Sequence, residues 1–415
     1  MPKLRISALV SVSAALLALA SCGGKSQVSQ SQPAFSVLYS FTYGADGANP
    51  STKTMVRDAQ GNLYGTTQLA GNTNCNVSLH PGCGTVFRLD TTGILTPLHI
   101  FTGGAFDVGG SSGLIQDAGG NLYGTGADSF GNGLVFKVDK NGMYTVFYDF
   151  AGGSDGYLPT GYLLPDRTGN IYGTTLEGGV STDPLCPQGC GTVFELDPTG
   201  LHTVVYSFLD NSDGAAPNSL IRDIAGNLYG ATWNGGQGCP QLAGCGTIFE
   251  LDTSGNKTVL HYFTGGADGS TPNGSLALDS AGNLYGTAQA GGDRTCPYNG
   301  GAGCGVIFKL HPNGDETVLH AFHGGPDGNV PVAVVLDAAG NLYGTTQSGP
   351  NTSVCGTVFK LDSKGNLTNL HNFDSAGSDG CFPGGTLIQD TLGNLYGSTT
   401  NGGSNGDGTL FTVKF

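Results

Sequence analysis

Short apolar runs rich in β-branched and aromatic residues, each bounded by Gly, Asp or Asn, recur from residue 36 to the end of the chain. One unit shows the pattern. Ser219-Leu220-Ile221-Arg222-Asp223 leads through a turn ending in Gly226-Asn227 to Leu228-Tyr229-Gly230-Ala231-Thr232, which reads as a hairpin of two strands. A Gly-rich loop follows, then Gly246–Asp252 as a third strand. The turn Thr253-Ser254-Gly255 leads to Thr258–Phe263 as a fourth. The string Gly-Asn-Leu-Tyr-Gly begins at Gly61 and returns at Gly120, Gly169 (with Ile for Leu), Gly226, Gly282, Gly340 and Gly393. A four-stranded unit repeated at this spacing predicts an all-β, seven-bladed propeller.

The ends of the chain predict how the ring closes. The last unit stops at Lys414-Phe415 after its third strand, and a lone strand of the fourth type, Ser36–Phe41, stands at the start. Together they make one blade, which removes the free sheet edge. The third strand carries a Phe in every unit (Phe87, Phe136, Phe194, Phe249, Phe308, Phe359 and Phe411), and the Tyr of the recurring string forms a second ring. Both read as aromatics buried between blades. The second-to-third loops and the blade-to-blade connections fall on one face, and only clipped turns on the other. A binding site is therefore expected on the loop-rich face or at the channel mouth.

Composition adds a cellular address. With 73 Gly, 11% charged residues and a formal net charge of −15, the chain lacks the clustered Lys and Arg that nucleic acid requires. Lys3 and Arg5 followed by an apolar stretch to Ala20 form a targeting segment over residues 1–21. Leu19-Ala20-Ser21-Cys22 resembles the lipobox of bacterial lipoproteins. That resemblance implies acylation of Cys22, attachment to the outer membrane and a flexible tether over 22–35, with the propeller spanning 36–415. An ordinary secretory signal is the alternative. Of the eleven cysteines, Cys75 with Cys83, Cys186 with Cys190, Cys239 with Cys245, and Cys296 with Cys304 lie within single loops, and Cys355 and Cys381 remain to bridge. Local cystines suit an oxidising compartment. The spacings vary and no His pair accompanies them, which argues against zinc.

Candidate chemistry is sparse. An Asp ends the first strand of every unit (Asp58, Asp117, Asp166, Asp223, Asp279, Asp337, Asp390) and reads as a turn device. The connections carry Asp46, Asp155, Asp213, Asp268, Asp327 and Asp379, with Asp107 in the degenerate second copy. These are candidate ligand-binding carboxylates, for calcium or a polar ligand, with a capped turn as the alternative. Trp233, the single Trp, is a candidate binding platform. His99, His261, His320 and His371 share a register with Tyr39, Tyr148 and Tyr206, which points to packing with a polar tip, whereas His80, His202, His311 and His323 are scattered. No nucleophile elbow, metalloprotease helix or phosphate loop is present, so no catalytic residue and no cofactor is assigned.

The spaced strings Gly-Gly-x-Asp-Gly-x-x-Pro, Asp-x-x-Gly-Asn-Leu-Tyr-Gly-Thr-Thr and Gly-Thr-Val-Phe-x-Leu-Asp resemble the Gloeo/Verruco (GloVer) tandem repeat of bacterial surface proteins. The blade grammar is also similar to NHL-type and streptogramin-lyase-like propellers. The first resemblance implies an envelope protein without a general activity; no His and acidic set of the lyase is matched. The expectation is a monomeric, lipid-anchored module that binds a glycan, peptide or envelope protein. The alternative is an extracellular lyase or hydrolase with its site at the channel mouth.

Overall fold

The computed structural model describes residues 33–415 apart from 52, 73–74, 78–79, 110–112, 161, 181–183, 210–211, 238, 240–243, 297–300 and 350–352. The targeting segment and Cys22 lie outside these residues. Seven antiparallel sheets form the seven blades of a β-propeller. In the fourth blade the strands, from inner to outer, are Ala215–Arg222, Leu228–Asn234, Thr247–Leu251 and Lys257–Tyr262. The inner strand is longer than the sequence pattern predicts because it extends back through the Pro of the connection.

The ring closes as the chain ends predict. Ala34–Ser40, beginning two residues earlier than expected, pairs antiparallel with Thr409–Lys414 and is the outer strand of the seventh blade. The third-strand Phe residues are 0% exposed. A second ring, unnoticed in the sequence, consists of Phe41, Phe101, Phe150, Phe208, Phe263, Phe322 and Phe373 at the ends of the outer strands. Each meets the third-strand Phe of the next blade edge-on, at 5.2 to 5.7 Å between centroids. Edge-to-face geometry sets the positive ring edge on the negative face of its neighbour. In six blades the glycine ending the Gly-Asn-Leu-Tyr-Gly string makes room for the third-strand Phe: a Cβ on Gly173 would lie 2.4 Å from Phe194 Cζ.

The turns follow from the Asp that ends each inner strand. Asp58 Oδ1 accepts the Asn62 N–H at 2.8 Å, and its Oδ2 accepts the Asn62 amide at 2.7 Å and the Tyr64 hydroxyl at 3.0 Å. These bonds hold the carboxyl below its ordinary pKa although burial opposes them. Tyr64 is only partly buried, and of the seven equivalents just Tyr123 and Tyr343 are buried. The expected second ring of buried aromatics is therefore formed mainly by the outer-strand Phe residues.

Two features shape the axis. The residue before the inner-strand Pro adopts positive φ in six blades: Asn49, Leu158, Ala216, Thr271, Val330 and Phe382, at 52 to 56°. Side chains rarely accept this region, least of all β-branched ones. In five of the blades its N–H donates to a carbonyl of the preceding blade, as from Thr271 to Cys245 O at 2.8 Å. The conformation thus recurs as a blade-to-blade latch. Secondly, the inner strands of blades one and three are interrupted, splitting into Ala48–Pro50 with Val56–Arg57 and Tyr157–Pro159 with Leu164–Pro165. Such irregularities re-aim side chains.

All five expected disulfides are present, including Cys355–Cys381, which joins the sixth blade to the inner strand of the seventh. They mark a protein that folds in an oxidising compartment, secreted or exposed in the envelope.

Candidate functional site

The connection carboxylates and the Tyr/His ring prove to be partners. Asp46 accepts hydrogen bonds from the Tyr39 hydroxyl (3.0 Å), the Thr42 N–H (2.9 Å) and hydroxyl (2.7 Å), and the Gly44 N–H (3.1 Å). The pair recurs in every blade. Tyr148 meets Asp155 at 2.7 Å, Tyr206 meets Asp213 at 2.8 Å, His99 meets Asp107 at 2.7 Å, and His261 meets Asp268 at 3.5 Å. His320 lies 3.1 Å from Asp327, and His371 lies 2.7 Å from Asp379. The outer strand ends where the connection curls back, so seven or eight residues of separation suffice for contact. Each carboxylate is thereby committed to holding its own connection. Oδ1 of Asp327 and of Asp379 is buried without a partner among the described residues. Within the same set, no three His, Cys, Asp or Glu side chains gather closely enough to hold a metal ion.

The position that opens the outer strand varies from blade to blade and rests on the preceding clamp. Phe35 stacks on His371 at 3.6 Å, Tyr144 on His99 at 4.3 Å and His202 on Tyr148 at 4.4 Å. His202 also approaches Asp155 at 3.1 Å, so a histidine that looks scattered in the sequence belongs to a clamp. Lys257 takes this place in the fourth blade and pairs with Asp213 at 2.5 Å. In the fifth blade it is Glu316. Burial pushes the Glu316 carboxyl up to about 7, with His261 pulling it down and Asp268 pushing it further up.

The inner strands cross the axis. Thr54 of the first blade bridges Thr386 of the seventh, Ser275 of the fifth lies 2.7 Å from the Thr386 hydroxyl, and Leu114 of the second donates to Thr54 O at 2.8 Å. Next to this crossing, on the loop-rich side, is a cavity of about 430 Å³ bordered by Lys53, Thr160, Leu158, Asn218, Trp233 and Asn273, among others. It is asymmetric because one ring of positions, the residue after the Thr-Thr of the second strand, changes character around the propeller. Ala127, Leu176 and Trp233 line the cavity, whereas the other blades place Gln68, Gln289, Gln347 and Thr400 there. Trp233 is 41% exposed. None of the connection carboxylates lines the cavity, so of the candidate ligand residues the structure brings only Trp233 to it.

Lys53 is the cavity feature that sequence reasoning missed. It lies on the interruption of the first inner strand, and its ammonium sits 4.9 Å over the ring of Tyr162, carried by the interruption of the third. Burial lowers the Lys53 pKa and raises that of Tyr162. Asp58 follows Pro50 by eight residues, against six or seven in the other blades that carry the Pro, which was a signal for the first interruption; Asp166 follows Pro159 by seven, as in the fifth and seventh blades, so the spacing gave none for the third.

The Gloeobacter/Verrucomicrobia repeat family model matches residues 23–185 and 182–411. No curated protein matches the chain in sequence. Among solved structures the chain is similar to the extracellular domain described as that of the hybrid two-component system BT3049 from B. thetaiotaomicron. The likeness is at 15% identity and a TM-score of 0.55, over 92% of this chain and 41% of that one. A second extracellular domain from that organism, of BT4673, is 12% identical with a TM-score of 0.54, over 91% and 39%. The gluconolactonase XC5397 from Xanthomonas campestris is more distant, 15% identical with a TM-score of 0.43, over 73% and 85%. The chain therefore spans about two fifths of the first two, and the likeness is one of fold.

Proposed function

The chain belongs to the Gloeobacter/Verrucomicrobia repeat family, and from that premise we propose that it is a lipid-anchored envelope propeller that binds a saccharide through its loop-rich face without transforming it. The cavity beside the axial crossing carries this reading. It combines a half-exposed indole with amide and hydroxyl side chains on a rigid scaffold, the mixture of flat apolar surface and few polar groups typical of small-molecule sites. Among the described residues lining it there is no Asp, Glu or His, the side chains that carry proton transfer in most glycosidases.

A glycan array with the native chain and Trp233→Ala tests the reading. Binding that disappears in the variant supports it. Binding that survives moves the site elsewhere, and turnover of a bound glycan replaces the reading with the enzymatic one. The anchor is tested separately: Cys22→Ser is expected to abolish lipid labelling and release the protein from the membrane fraction.

A further inference from the structure

We propose that the cavity is selective for carboxylated sugars, the saccharide binding as a uronic acid whose carboxylate pairs with Lys53 while its ring lies against Trp233. This deepens, and rests on, the saccharide-binding reading given above.

The first support is an unmatched charge. The chain has 31 Asp and Glu against 16 Lys and Arg, so a half-buried cation should readily find an acidic partner. Some cations do: Arg222 lies 3.3 Å from Asp166 and Lys257 lies 2.5 Å from Asp213, whereas Lys137, Lys309 and Lys360 lie over tyrosine rings of their own blades, away from the cavity. Among the described residues Lys53 has no acidic partner, and its ammonium lies 4.9 Å over the ring of Tyr162 at the border of the cavity. A desolvated charge is costly unless paired. Holding an ammonium here without a counter-charge leaves a place that an incoming anion fills.

The second support is an orphaned acceptor. Asn218, 4% exposed, donates its amide to Pro272 O at 2.8 Å, which fixes the orientation of the group, and its Oδ1 has no partner among the described residues. Asn218 borders the same cavity as Lys53, Asn273 and Thr160. A cation and amides lining one cavity with Trp233, Leu176 and Ala127 match a molecule that is anionic at one end, rich in hydroxyls, and flat enough to lie on an indole. A uronic acid has these properties together; a simple carboxylate lacks the ring and a neutral sugar lacks the charge. The interruptions that deliver Lys53 and Tyr162 occur in blades one and three, breaking the sevenfold repeat where selectivity requires a unique group.

The test is isothermal titration of the full chain with D-galacturonate and digalacturonate, with D-galactose and acetate as the neutral and ring-free counterparts. Lys53→Met, Lys53→Arg and Trp233→Ala are compared, and each variant's melting temperature confirms that it folds. The expected result is binding of the uronates and neither counterpart. It should weaken by about tenfold or more in Lys53→Met, as expected for losing a charge-assisted hydrogen bond, recover in part in Lys53→Arg, and weaken in Trp233→Ala. Galactose binding as tightly as galacturonate, with Lys53→Met unchanged, overturns the selectivity and leaves saccharide binding standing. Acetate competing at equal affinity overturns the sugar component. A folded chain that binds none of the four overturns the inference, and the separate glycan array then decides whether the broader reading falls with it.

Discussion

Replacing Phe41 by Ala tests whether the N-terminal strand is as firmly part of the ring as any internal strand. Phe41 is 0% exposed, meets Phe87 edge-on at 5.4 Å and Tyr39 at 5.3 Å, and its backbone accepts the Asn405 amide at 2.9 Å. Phe263 is its counterpart inside the chain, also 0% exposed and 5.3 Å from Phe308. Truncating a fully buried Phe costs about 3–5 kcal/mol, the sum of lost transfer energy and the cavity left behind. If closure holds the first strand as tightly as a covalent connection holds an internal one, both truncations should cost within that range of about 3–5 kcal/mol. The assay is guanidinium unfolding with disulfides intact, followed by far-ultraviolet circular dichroism, comparing midpoints at unchanged slope. A Phe41→Ala loss below about 1 kcal/mol alongside a full loss for Phe263→Ala would refute the argument, because the first strand would then detach without cost to the other blades.

Three further outcomes are expected. Burial holds His371 below its usual 6.5 despite the opposing bond and charge of Asp379; the folded chain therefore resists a proton that the unfolded chain accepts, and stability is lost as pH falls from 6.5 toward the lowered value. His371→Tyr, which restores the residue used at Tyr39, Tyr148 and Tyr206, should flatten that part of the pH–stability curve, and an unchanged curve would dismiss the assignment. Glu316 acts in the opposite sense: its pKa of about 7 against 4.5 means its contribution is present below 4.5 and lost as pH rises through 7. Glu316→Gln should then be more stable than the native chain at pH 8 and equal to it at pH 4.5. Among the cystines, loop-closure entropy gives about 3.5 kcal/mol for the 26-residue separation of Cys355–Cys381 and about 2 kcal/mol for the 4-residue separation of Cys186–Cys190. Paired Ser substitutions read by chemical unfolding should rank in that order.

Much of the fold was legible because repetition averages out local ambiguity. A single Gly-Asn-Leu-Tyr-Gly is a weak turn signal, but seven copies fix the blade count, and the unequal chain ends fix the closure. The disulfides were readable because four join cysteines within one loop, leaving Cys355 and Cys381 for each other. Less came through where contact depends on curvature. The Tyr/His ring and the connection Asp ring were each visible, yet their pairing was not, since nothing in the spacing says that the connection folds back onto the strand it leaves. His202 looked scattered because it opens a strand in one blade and reaches the clamp of another.

The cavity divides the two sources most clearly. Trp233 drew attention as the one Trp, and the loop-rich face followed from strand order alone, both properties of the chain as written. Lys53 and Tyr162 are more than a hundred residues apart, and each lies where an inner strand departs from its repeat. The extra spacing between Pro50 and Asp58 marks the first interruption in the sequence, whereas the third leaves no such mark. Only closure of the ring places the first blade near enough to the third to half-bury Lys53 and set its ammonium over the tyrosine without a carboxylate partner among the described residues.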